Sequence, residues 1–183
     1  MLDHLEKPFA RCYWVRSKKL LAGSYPGSRD PREALEKLRG LLQCGVRRVV
    51  NLMEEDEKDH SGEDFVPYEM TLIGLARDGG VDLDCIRYPI RDGGVPSIEK
   101  MVAILDDIDH AIDHGKPVYV HCWGGVGRTG TVIGCYLARH GIAVGQACLE
   151  LIQELRRNDP MAARISPETD EQRWMVGSWN AGA

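Results

Sequence analysis

The stretch that most constrains the fold runs from residue 117 to residue 141. Residues 117–121 read PVYVH, an apolar run of strand length that suits burial on both faces. Residues 122–127 read CWGGVG, too rich in glycine to continue the strand or to open a strong helix. Residues 128–140 then read as a buried helix carrying Val132, Ile133, Tyr136 and Leu137, with Gly141 as its stop. A doubly buried strand that turns through glycines into a helix belongs to a parallel sheet covered on both faces. In such sheets ligands sit beyond the carboxyl ends of the strands, and Cys122 lies at one of those ends.

The rest of the chain continues the alternation. Residues 13–15 and 20–22 read as short strands near an edge. Asp30 is placed to cap a helix, with Pro31 at its first position and Glu33 three residues after the cap. Ala34, Leu35, Leu38, Leu41 and Leu42 give that helix one apolar stripe, and Gly45 ends it. A buried strand is predicted over 46–52, an acidic loop with a solvated surface over 54–64, a helix over 67–77 and a strand over 85–88. Ser97 caps the next helix, whose stripe is Met101, Ile104, Leu105, Ile108, Ala111 and Ile112. Two further amphipathic helices fit 145–157 and 167–179. The expected class is α/β, one domain over residues 1–183, with a central, mostly parallel sheet flanked by helices on both faces.

A net charge of −5 gives no broad attraction to nucleic acid or to an anionic membrane, so any anion site must draw on local positive potential. No run approaches the ~20 apolar residues of a membrane span, and residues 1–11 hold no apolar core of signal-peptide length. The six cysteines, at 12, 44, 85, 122, 135 and 148, form no CxxC pair, which argues against a structural zinc site and a disulfide framework. The expected home is the reducing cytoplasm. There Cys12, Cys44, Cys85, Cys135 and Cys148 read as small buried hydrophobes.

Cys122 reads differently. Arg128 follows it by six residues; Cys85 and Arg91 share that spacing, but no glycine separates them, so spacing alone means little. Gly124, Gly125 and Gly127 let consecutive backbone N–H groups turn inward around one anion. The helix that starts near Arg128 adds its positive dipole end, and the guanidinium offers a fork for two phosphate oxygens. The same surroundings favour thiolate over thiol. One loop therefore supplies a nucleophile and an oxyanion cradle.

The run HCWGGVGRTG over 121–130 resembles the signature of the cysteine-based protein tyrosine phosphatases. That resemblance implies the protein tyrosine phosphatase fold and a set of roles. Cys122 would attack phosphorus, while Arg128 and the loop amides of Trp123, Gly124, Gly125, Val126 and Gly127 would hold the phosphate oxygens. His121 would set the loop and the thiolate, Thr129 would hydrogen-bond the sulfur, and no metal or other cofactor would be needed. Residues 88–96, YPIRDGGVP, look like the mobile acid loop of dual-specificity phosphatases and are particularly similar to the kinase-associated phosphatase group, which makes Asp92 the general acid. Residues 21–26 and 45–52 also look like early segments of these proteins. Residues 167–172 look like a late one, which would bring Gln172 to the pocket.

The rings of Trp123, Trp174 and Trp179 are expected in the core, and Arg87 and Arg91 as an exposed basic pair. The implied activity is hydrolysis of phosphotyrosine, and of phosphoserine or phosphothreonine as further candidates, on a protein or peptide. Three rivals remain. The first is a phosphatase of a phosphoinositide, inositol phosphate or nucleotide; family members acting on inositol lipids tend to carry lysines between the cysteine and the arginine, where this chain has none. A non-catalytic phosphate-binding module would be expected to have lost the nucleophile, the arginine or the acid. A rhodanese-type sulfur-transfer enzyme does not share the Thr129-Gly130 continuation or the Asp92 loop.

Overall fold

The computed structural model describes residues 7–183; the reading made for the first residues of the chain therefore falls mostly outside it. Two short strands open the fold, β1 (Cys12–Arg16) and β2 (Leu20–Gly23). They are followed by α1 (Pro31–Gln43), β3 (Arg48–Asn51), α2 (Glu69–Asp78) and β4 (Asp84–Arg87). The second half holds α3 (Ile98–Asp113), β5 (Val118–His121), α4 (Gly127–Arg139), α5 (Gln146–Leu155) and α6 (Asp170–Ser178).

The strands form one sheet in the order β1-β2-β5-β3-β4, antiparallel between β1 and β2 and parallel elsewhere. β5 is central and buried at every residue. Its side chains alternate between two cores, as the two-residue period of a strand requires. Val118 and Val120 join Leu20, Ala22 and Val50 under α3, α4, α5 and α6, while Tyr119 joins Leu21 and Val49 under α1 and α2.

The helix boundaries follow local chemistry. Asp30 accepts from the N–H of Arg32 with Pro31 at the first position, and Ser97 accepts from the N–H of Lys100. Glu33 does not complete a capping box; it accepts from Ser28 and pairs with Lys37. The full box belongs to α6, between Thr169 and Gln172. Trp179 is buried and Trp123 packs against the larger core, as expected, but Trp174 is 73% exposed on the outer side of α6. Arg87 and Arg91 are exposed, as expected, and Arg87 also pairs with Glu69 and donates to the carbonyls of Met53 and Glu54. Among the described residues no helix is long and apolar enough to cross a membrane.

Candidate functional site

The register aligns the carboxyl ends of the parallel strands. Gly23 of β2 and Asn51 of β3 both pair with His121 of β5, and Asn51 pairs with Arg87 of β4. The loops leaving these strands meet at one edge of the sheet, which brings together three segments far apart in the chain: 122–127, 88–96 and the acidic loop after β3.

Cys122 follows β5 and is 2% exposed, with the hydroxyl of Thr129 donating to its Sγ at 3.1 Å. The loop then closes tightly against β2. Gly125 has φ +67°, and a Cβ there would lie 2.5 Å from the backbone carbonyl carbon of Gly23, so no other residue fits without moving the strand. The first turn of α4 starts at Gly127, directing its positive end to the same point.

His121 is wholly buried beside the thiol, its ring stacked on Tyr119. Burial pushes its pKa down from 6.5 to about 4, so the imidazole is neutral. Its Nδ1 lies 3.1 Å from the carbonyl oxygen of Cys122, which can only accept. The single ring proton is therefore on Nδ1, and Nε2 accepts from the hydroxyl of Tyr68. Tyr68 keeps its proton, because burial raises its pKa well above the ordinary 10.

Arg128 is buried as well, 1% exposed, and carries a charge. Its Nη1 and Nη2 donate to the two carboxylate oxygens of Glu57 at 2.6 and 2.7 Å. Nη1 also donates to the carbonyl of Ile90 at 3.0 Å, and Nη2 lies 3.0 Å from Oδ1 of Asp92. Burial opposes the charge, but Glu57, Cys122 and Asp92 outweigh it, and the guanidinium pKa lies above the usual arginine value. One edge of the fork is thus filled by Glu57. On the other edge Nε has no partner, and Nη2 is shared with the carboxylate of Asp92, which is 61% exposed.

Most of residues 54–64 are exposed, as expected of a solvated loop, and Glu57 is an exception. Its side chain is only 8% exposed, and His60 within the loop and Phe65 just after it pack on the ring of Trp123. Two signals in the chain could have found it: a buried arginine needs a carboxylate, and the loop after the strand beside β5 is the nearest source.

The 88–96 loop that carries Asp92 is fastened on both flanks. Thr169 donates to the carbonyl of Gly93, Gln172 to that of Gly94, and Lys100 to that of Pro89. Gln172 is 0% exposed, and its Oε1 accepts from the N–H groups of Glu168 and Thr169. It reaches the site as a support beneath the acid loop, not as an exposed pocket wall. Burial raises Cys12 and Cys85 to about 12, and it also raises Cys135 and Cys148.

Comparison with known proteins adds the family. Residues 24–142 match the family described as polymorphic toxin system, DSP-PTPase phosphatase. The dual specificity protein phosphatase CDC14B of Mus musculus is 33% identical over 119 residues, covering 56% of this chain and 23% of that protein. The phosphatidylglycerophosphate phosphatase PTPMT1 of Arabidopsis thaliana is 32% identical over 163 residues, covering 88% of this chain and 42% of that protein. The chain spans about half or less of the length of the first curated relatives it matches. Among solved structures, the active form of Tk-PTP superimposes with a TM-score of 0.64 at 26% identity, covering 92% of this chain and 95% of that one. With more than half of its residues matched, the chain belongs to the DSP-PTPase phosphatases, the dual-specificity type of cysteine-based protein tyrosine phosphatase.

Proposed function

We propose that the chain hydrolyses phosphotyrosine on a protein or peptide through a cysteinyl-phosphate on Cys122. The observation that carries this reading is the state of Arg128, whose Nη1/Nη2 edge is held by Glu57 while its Nε/Nη2 edge faces Asp92 beside the thiol. Two phosphate oxygens would take the Nε/Nη2 edge, releasing Asp92 toward the leaving oxygen. The thiolate sulfur of Cys122 then forms the S–P bond, the P–O bond to the leaving group breaks, and Asp92, which enters this step as the carboxylic acid, delivers its proton to that oxygen and becomes the carboxylate. In the second step water attacks phosphorus, Asp92 takes its proton, and the P–S bond breaks. The departing thiolate keeps the hydrogen bond from Thr129. His121 holds the carbonyl of Cys122 as a neutral donor throughout. The loop amides and Arg128 stabilise the charge that spreads over the phosphoryl oxygens.

This chemistry calls for a reducing compartment, where a thiol persists. A lipid phosphomonoester is a second substrate class, favoured by the likeness to the Arabidopsis phosphatidylglycerophosphate phosphatase and disfavoured by the absence of lysine between Cys122 and Arg128.

The deciding experiment is hydrolysis of a small aryl phosphate in chelator by wild type and by Cys122→Ser. Phosphotyrosine peptides, phosphothreonine peptides and a lipid phosphomonoester follow. Turnover that resists chelator and vanishes in the variant supports the mechanism, and the substrate ratios set the class. A folded wild type that turns over none of these sinks the proposal.

A further inference from the structure

Five carbonyls of the 122–127 loop, all but that of Gly125, accept hydrogen bonds from residues beyond the loop. Besides His121 on Cys122, the N–H of Tyr25 donates to Trp123 at 3.0 Å, Ser166 to Val126 at 2.6 Å and Thr131 to Gly127 at 2.9 Å. All of these donors are uncharged. The carbonyl of Gly124 is held differently, by the guanidinium of Arg11 at 2.6 Å from just before β1. In a trans peptide the C=O and N–H point in opposite directions, so each carbonyl turned outward aims the next N–H into the loop. The Gly124–Gly125 unit is trans and is flanked by glycine on both sides, so it is the peptide of this loop that rotates with least steric resistance.

Arg11 faces a buried carboxylate. Its Nε makes no hydrogen bond but lies 4.0 Å from Asp159, which is 6% exposed and which also faces the fully buried Arg156 at 3.8 Å. Two guanidinium groups share one carboxylate there, leaving one positive charge in excess behind the loop. The backbone of Arg11 is fixed too, because its carbonyl accepts from the N–H of Ser24.

We propose that Arg11 is a positioning residue for the anion cradle. By gripping the Gly124 carbonyl it holds the Gly125 N–H toward the bound phosphate and stops the peptide from presenting its oxygen there. This role rests on the phosphate-binding reading of the loop, and it lies outside the cysteine-to-arginine motif.

The test measures binding of inorganic phosphate in the Cys122→Ser background, which needs no turnover. Arg11→Met should weaken phosphate about tenfold or more, the scale of a lost charge-assisted hydrogen bond. Arg11→Lys, which keeps a cation at the same place, should recover part of the loss. A merely structural role would lower thermal stability while leaving the phosphate affinity of the folded molecules unchanged, and that outcome overturns the proposal.

Should Arg11→Met not fold, the amide resonance of Gly125 in the otherwise unaltered chain decides. It should move strongly on phosphate addition, and indifference refutes the assignment. Phosphate binding with a Gly125 response, in a protein whose wild type shows no turnover, would remove the enzymatic reading and leave this one standing.

Discussion

A guanidinium sealed from water stays charged at low cost only beside a carboxylate, and for Arg128 that carboxylate is Glu57, at 2.6 and 2.7 Å. Glu57→Gln keeps the shape but halves the acceptors and removes the charge. A charge-assisted hydrogen bond is worth about 1.5–3 kcal/mol, so kcat/KM on an aryl phosphate should fall roughly 10- to 100-fold. Wild-type kinetics in the variant would make Glu57 a bystander.

His121 makes a second prediction, about pH. Its folded pKa, near 4, is below the ordinary 6.5, so the unfolded chain binds the extra proton first. The stability that comes from keeping the ring neutral is complete above pH 6.5, falls as pH drops toward 4, and changes no further below that. The whole difference is up to about 3 kcal/mol. Urea midpoints from pH 7 to pH 4 should drop more steeply for wild type than for His121→Asn. An imidazole that titrates near pH 6 by NMR would contradict the burial argument.

At the scale of elements, α6 works as a brace for the acid loop. Thr169 and Gln172 close the capping box of the helix and also hold the carbonyls of Gly93 and Gly94. Gln172→Ala should cost about 1–2 kcal/mol of stability from the lost cap and the unpaired carbonyl. It should also slow alkyl phosphates more than aryl phosphates, because only a poor leaving group depends on a well-placed acid. Equal slowing of both would mean that the brace does not reach Asp92.

The elements themselves were legible wherever the signal was local. The caps at Asp30 and Ser97, the two-faced strand before Cys122 and the glycines after it are written in neighbouring residues. Glu57 was hidden because its meaning comes from a partner 71 positions away, and by composition it is one acid among many. Trp174 misled for the same reason: a large apolar ring predicts burial, but its place on α6 faces water. Motif likeness brought Gln172 to the right neighbourhood, while only the packing showed it beneath the acid loop.

For the molecule as a whole, the position of the loop matters more than its size. It joins β5, the middle strand of five, to α4, whose residues from Gly127 to Ala138 are all buried and which packs on α3, α5 and α6. Opening this loop would loosen both the centre of the sheet and the helix that anchors the larger core, so a ligand that binds the loop should stabilise the entire fold against unfolding. Phosphate at 100 times its Kd adds about 2.7 kcal/mol to the native state. For a chain of this length that should raise Tm by roughly 5–10 °C. Arg128→Met, which removes the fork but leaves the loop glycines and α4 in place, should show little of that rise. A calorimetric scan with and without phosphate separates the cases. A rise that persists in Arg128→Met would place the phosphate elsewhere, and no rise in wild type at any phosphate concentration would mean that the folded chain does not bind it.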